Sequence, residues 1–283
     1  MEPLANYFKE RFPVIPLFIF SFLTIAGLSN KIQIQQHYLL IALLSVVYTS
    51  FLLHLRILDE FKDFEYDSKY HPDRPIQRGA IPLERIKYIG IVNILVMTIT
   101  SVIASKPLII PLIIFVILYS LLMYKEFFIH DFYKKSPSLY LISHQIVFIP
   151  LYLFLYSSIE SSFWLPESIE QYSLLIYTFI PMILVEIGRK MKYRLDKHGN
   201  KTDDTYLVVW GEKTTIGVFS ALVILSGLLS FLIQNFPSIA STLIVLLGLC
   251  LAAGGMIAPK KIIKFNMVIT VVVVLGIPAL LLL

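Results

Sequence analysis

Asp59, Asp63 and Asp67 recur at every fourth position in the run Arg56-Ile57-Leu58-Asp59-Glu60-Phe61-Lys62-Asp63-Phe64-Glu65-Tyr66-Asp67. On a helix that spacing drifts only about 40° per step, so the three carboxylates line one stripe with Glu60 beside it. Like charges four residues apart destabilise a helix by a few tenths of a kcal/mol per pair, so the stripe asks for a cation. Arg56 and Lys62 supply part of it. Mg2+ fits the remainder, because it takes one or two carboxylates and leaves its other positions to substrate phosphates. Pro72 and Pro75 then forbid helix continuation, and Arg74 and Arg78 follow on the stiffened loop. Guanidinium groups grip phosphate oxygens in bidentate fashion. The pattern describes a diphosphate site; an ordinary charged connector remains the alternative reading of these residues.

The elements that must position this chemistry are apolar. The 283 residues are 57% hydrophobic and 15% charged, with a net charge of +5 and a mean hydropathy of +0.77. Soluble domains carry about 25% charged residues. The composition excludes an ordinary cytosolic enzyme and a disordered regulator, and the basic pI does not make this a nucleic-acid binder. Cys250 is the single cysteine, which excludes a disulfide framework and a thiolate metal cluster. Nine segments are apolar enough to span lipid, over residues 13–29, 38–58, 86–104, 107–124, 137–157, 170–187, 214–234, 239–257 and 264–283. The expected fold is an all-α polytopic membrane protein, a single transmembrane domain over 1–283 with polar loops at 59–85 and 188–213. Placing the N-terminus in the cytoplasm puts 22 of the 24 Lys and Arg residues inside and leaves Lys31 and Lys106 outside. Both charged loops are then cytoplasmic.

Asp59-Glu60-x-x-Asp63-x-x-x-Asp67, followed by Pro72-Asp73-Arg74-Pro75 and Arg78-Gly79, resembles the first aspartate-rich motif of the UbiA superfamily of intramembrane prenyltransferases. Here Asp59 stands at the family's asparagine position and Glu60 at its first aspartate. The resemblance implies a UbiA-like bundle of about nine helices with a polar cavity on the cytoplasmic side. It also implies Mg2+ as cofactor, held by Asp59, Glu60, Asp63, Asp67 and Glu186, and an isoprenoid diphosphate as substrate.

The second motif departs from the family pattern. Glu186 can take the place of the first acid, but Lys190 stands where the second is expected and Arg194 follows four residues later. The span 59–78 is net −2 and the span 186–213 net +2. A diphosphate bridged by Mg2+ to the first loop could be gripped directly by Lys190 and Arg194 on the second, with Asp196, Asp203 and Asp204 as reserve ligands. Anchoring of the helix at anionic headgroups is the competing account of Lys190 and Arg194. Family resemblance adds Lys125 as a further diphosphate contact.

The isoprenoid tail is expected among the helices, where aromatic faces stabilise an allylic cation and water is kept away. Tyr48, Tyr119, Tyr124 and Tyr140 are candidates, each with a packing role as the alternative. His54, Asn93 and His144 are polar groups in or at the edge of apolar segments; His144 could orient an acceptor or serve only an interhelical hydrogen bond. Three functions follow. The first is prenyl transfer from a polyprenyl diphosphate to an aromatic or lipid-like hydrophobic acceptor in membrane lipid. The second is a membrane terpene cyclase that ionises the diphosphate without an acceptor. A non-catalytic transporter is third; it leaves the carboxylate stripe unexplained.

Overall fold

A computed structural model describes residues 2–32, 38–129, 136–195, 199–202, 205–233 and 235–283, apart from the side chains of Glu2 and Pro137. These residues are overwhelmingly helical. Eight helices are long and apolar enough to cross a membrane, and the ninth expected span is the shorter apolar helix Asn266–Leu282.

The chain divides into two compact units. The first comprises Met1–Ser29, Ile34–Ser136 and Leu153–Trp164. It contains α1 (Glu2–Arg11), most of α2 (Val14–Lys31), α3 (Tyr38–Lys62), α4 (Phe64–Tyr70), α5 (Leu83–Ala104) and α6 (Ile110–Tyr124). Helices α3 and α5 pack along one another. The buried face of α5 carries Gly90, Asn93, Met97 and Ser101, while Ile91, Leu95, Ile99 and Val102 are exposed. Small and polar residues face the packed side and branched apolar ones the outside, the pattern expected when lipid is the solvent. Asn93 Nδ2 donates to the Ser50 carbonyl on α3 at 2.9 Å, and His54 Nε2 lies 2.8 Å from Ser120 Oγ on α6. Both groups therefore serve interhelical hydrogen bonds.

The second unit comprises Asn30–Gln33, Pro137–Tyr152 and Leu165–Leu283. It contains α7 (Pro137–Gln145), the first turn of α8 (Phe148–Glu160), α9 (Ile169–Arg189), α10 (Tyr206–Val209), α11 (Glu212–Ser230), α12 (Ser238–Ile257), α13 (Pro259–Lys264) and α14 (Asn266–Ala279). Helix α9 starts at an N-cap, where Ser168 Oγ accepts from the Gln171 amide. It packs on α11 and α14, and α11 packs closely on α12. Gly248 makes that last approach possible: a Cβ there would stand 2.9 Å from the backbone nitrogen of Ile224.

Candidate active site

In the first unit, α3 carries Asp59 and Glu60 on its last turns, Asp63 forms the joint, and α4 carries Asp67. The amide of Asp63 bonds the Asp59 carbonyl at 2.9 Å, that of Asp67 the Asp63 carbonyl at 2.8 Å, and that of His71 the Asp67 carbonyl at 2.8 Å. Helical register is thus kept through the joint. Pro72 then ends the helical run, and the loop turns through Gly79, whose φ of +75° suits a residue without Cβ.

The four acids divide into two kinds. Glu60 is 1% exposed, and its Oε1 accepts from Arg11 Nε at 2.9 Å, from Arg56 Nε at 3.1 Å and from the Tyr7 hydroxyl at 3.4 Å. Asp67 is 2% exposed; it is ion-paired with Arg74, and Arg11 Nη2 stands 3.9 Å away. Asp59 and Asp63 make no side-chain hydrogen bond or ion pair among the described residues. Burial pushes the Asp63 carboxyl up to about 6, helped by the charges of Asp59 and Asp67 and opposed by Lys62 and Arg56. The Tyr7 hydroxyl is likewise held above its ordinary value by burial and by Glu60.

Mg2+ fits this arrangement. Among the described residues no three Asp, Glu, His or Cys side chains converge to hold a metal by themselves. A hard ion that keeps water and takes phosphate oxygens needs only one or two carboxylates. A pair of partly buried acids that repel one another offers that, and the cation would relieve the repulsion. Sequence reasoning grouped Glu60 with these ligands, whereas the fold surrounds it with two arginines and a tyrosine.

The expected phosphate-binding cations of this unit sit as follows. Arg74 faces Asp67. Arg78 forms an exposed two-point pair with Glu10, at 2.7 and 3.1 Å, and also donates to the Asp73 carbonyl. Lys125 is exposed at the end of α6, its ammonium 4.9 Å from the Tyr124 ring. Next to it, Glu126 pairs with Lys62 at 3.7 Å, which brings this turn to the end of α3. Glu126, Phe127 and Phe128 all have positive φ, a left-handed run that costs about 1–2 kcal/mol per residue. Tyr119 packs edge-on against Phe127, with ring centroids 5.3 Å apart. Tyr48 is fully buried against Phe20.

The second unit builds a different polar cluster. Glu186, on the last turn of α9, is 8% exposed. It pairs with Arg189, and with Lys190 Nζ at 3.0 Å. The Lys190 ammonium also lies 5.4 Å from the ring centroids of Tyr140 and of Tyr206, a cation between two aromatic faces. His144 stacks on Tyr140 at 3.8 Å, its Nδ1 3.0 Å from the Tyr140 carbonyl. Tyr206 stacks on Trp210, and burial, followed by Glu186, raises its hydroxyl above the ordinary phenol range.

The expected basic stripe is shortened. Helix α9 stops at Arg189, because Asn266 Nδ2 donates to the Gly188 and Met191 carbonyls and closes the helix end. Lys190 and Glu186 keep their four-residue relation, but Arg194 falls beyond the helix, in a segment closed by the Thr202 amide bonding its carbonyl at 3.0 Å. The reserve acids Asp196, Asp203 and Asp204 lie outside the described residues, as do Lys134 and Lys135.

Sequence reasoning missed Arg11, Tyr7, Glu10, Tyr206 and Asn266. A signal existed for the first two: Leu4, Tyr7, Phe8 and Arg11 follow the three-and-four spacing of one helix face. Asn266 and Tyr206 act through tertiary proximity and left no local pattern.

The model of the UbiA prenyltransferase family matches residues 15–281, and the chain belongs to that family. It is an integral, multi-pass membrane protein of the prenyltransferase class. A solved structure of digeranylgeranylglyceryl phosphate synthase is similar over 99% of each chain, with a TM-score of 0.58 and 17% sequence identity. At that identity the likeness speaks for the fold. A search of curated proteins finds no match.

Proposed function

We propose that this protein transfers a prenyl group from an isoprenoid diphosphate to an aromatic or lipid-like acceptor within the membrane, with Mg2+ as cofactor. The observation that carries the reading is the pair Asp59 and Asp63, without ionic partners among the described residues and with the Asp63 carboxyl pushed up by burial and by neighbouring acids. Asp59 and Asp63 would hold the ion, with Asp67 as a third candidate. Bound Mg2+ supplies positive charge to the leaving diphosphate.

The protein's own side chains do the remainder. The C–O bond to the allylic carbon breaks heterolytically, and the diphosphate leaves with the electron pair. The acceptor nucleophile closes the new bond and loses a proton, which the released diphosphate is basic enough to take. Arg74, Arg78 and Lys125 contribute cationic contacts to the diphosphate, and Lys190 and Arg194 are the cations that the second polar loop offers to a phosphate. Glu186 has two protein cations of its own, so Lys190 acts as a fixed cation where the family pattern has an acid. Tyr119 offers a ring face to the developing cation, and His144 orients the acceptor. The apolar helices keep water from the allylic cation. The N-terminus and both polar loops lie on the cytoplasmic side, following the Lys/Arg distribution.

Purified protein in detergent, given geranyl, farnesyl or geranylgeranyl diphosphate, Mg2+ and a panel of quinoid acids and glycerol phosphate lipids, tests this. Acceptor-dependent diphosphate release, with a product containing both reactants, is expected. Release with a hydrocarbon or terpene alcohol and no acceptor would establish a cyclase instead. Turnover unaffected by Asp63→Asn would overturn the carboxylate assignment.

A further inference from the structure

The first ten-residue helix stands before the family-matched segment, which begins at residue 15, yet it reaches the carboxylates. Leu4, Tyr7 and Phe8 pack into the cluster of Ile57, Ile76, Ile81 and Ile86, which joins the end of α3 to the proline-stiffened loop and to α5. Tyr7 is fully buried and Phe12 nearly so. Four residues after Tyr7, the same face delivers Arg11.

Arg11 is set into the acidic cluster rather than beside it. Its Nε donates to Glu60 at 2.9 Å, and its Nη2 is 3.9 Å from Asp67 Oδ2. Among the described residues that buried Nη2 has no hydrogen-bond partner, and Glu60 Oε2 is in the same condition. The neighbouring Glu10 takes both Arg78 nitrogens, so two adjacent residues of α1 touch the arginine-bearing loop and the acidic run respectively. Asp59, Glu60, Asp63 and Asp67 bring four negative charges, and Arg11, Arg56 and Arg74 bring three positive ones. With Lys62 taken up by Glu126, the site is left near −1, and one of its three neutralising charges comes from α1.

We propose that Arg11 is a positioning residue of the carboxylate site: it pins Glu60 and Asp67, and it limits the site's negative charge so that a divalent ion binds together with a diphosphate rather than alone. The role rests on the diphosphate and Mg2+ reading above. It assigns the N-terminal helix a part in the site that the matched segment does not include.

Two binding measurements on the full-length protein in detergent separate the outcomes: Mn2+ alone, by electron paramagnetic resonance, and farnesyl thiodiphosphate with saturating Mg2+, by calorimetry. Removing one cation from the cluster makes it more attractive to a lone metal ion and less attractive to an anion. Arg11→Ala is expected to tighten Mn2+ binding about fivefold and to weaken analogue binding by a similar factor, as one charge screened at short range predicts. Loss of fold would move both affinities in the same direction. Arg11→Lys keeps the charge but cannot reach both carboxylates; Mn2+ affinity should stay near wild type while analogue binding falls about threefold, on the scale of one hydrogen bond. If Arg11→Ala does not yield a monodisperse protein, Arg11→Lys alone decides, and analogue binding equal to wild type refutes the role. Asp63→Asn serves as the reference. If it weakens Mn2+ binding while both Arg11 variants match wild type, the positioning role falls and the metal reading stands. If Asp63→Asn leaves Mn2+ binding untouched, the metal reading itself falls.

Discussion

Glu60→Gln separates a structural anchor from a metal ligand. Glu60 is 1% exposed and accepts from Arg11, Arg56 and Tyr7 through one oxygen. Neutralising it leaves two guanidiniums facing an amide. Breaking a buried ion pair costs about 3–5 kcal/mol, but the two arginine side chains keep 14% and 17% exposure, and water recovers part of the loss. A destabilisation of about 2 kcal/mol remains. For chains of this size about 2–4 °C of melting temperature accompanies each kcal/mol. Thermal unfolding of the metal-free protein in detergent should therefore show a fall of roughly 4–8 °C, with Mn2+ binding reduced less than in Asp63→Asn. An unchanged melting temperature with Mn2+ binding lost as fully as in Asp63→Asn would refute the anchor role and return Glu60 to the metal set.

Four further expectations have independent readouts. The Asp63 carboxyl, raised to about 6 by burial and by Asp59 and Asp67, competes with metal for protons, so the Mg2+ concentration giving half-maximal activity should climb as pH falls through 6. A raised carboxylate also means that the apo fold is most stable when the group is protonated and loses that stability as pH rises through 6. Asp63→Asn should accordingly abolish turnover yet stabilise the metal-free protein at pH 7.5, by about 3 kcal/mol; a lower melting temperature would contradict the repulsion. Lys190→Ala should weaken binding of a non-hydrolysable diphosphate analogue about tenfold, as expected for a charge-assisted contact, and unchanged affinity would assign Lys190 to structure. In Gly188→Ala, the new Cβ would meet Thr270, with Cγ2 at 2.6 Å. Overpacking of about 1–3 kcal/mol should appear in thermal unfolding of the detergent-purified protein, and no loss would show that α9 and α14 separate easily.

Much of the architecture is legible without coordinates because lipid imposes a one-dimensional rule: each crossing segment must be about 20 apolar residues long and helical. The long apolar runs therefore announce their helices. The four-residue spacing of Asp59, Asp63 and Asp67 likewise announces a helical register, which the backbone keeps through the joint at Asp63. Glu60 illustrates the limit of such reading. Adjacency in sequence placed it with the metal ligands, while its environment comes from Arg11 and Tyr7, about fifty residues earlier.

Composition, hydropathy and local spacing determined the class of fold, the positions of the polar segments and the acids that could meet a cation, because each depends on residues within a few helical turns. Tertiary structure alone decided which charges neutralise which. It seated Arg11 on Glu60, turned Arg74 to Asp67, capped α9 with Asn266 and set Lys190 against the rings of Tyr140 and Tyr206. Electrostatic energy depends on separation in space and on burial, and a linear sequence carries neither quantity for residues far apart in the chain.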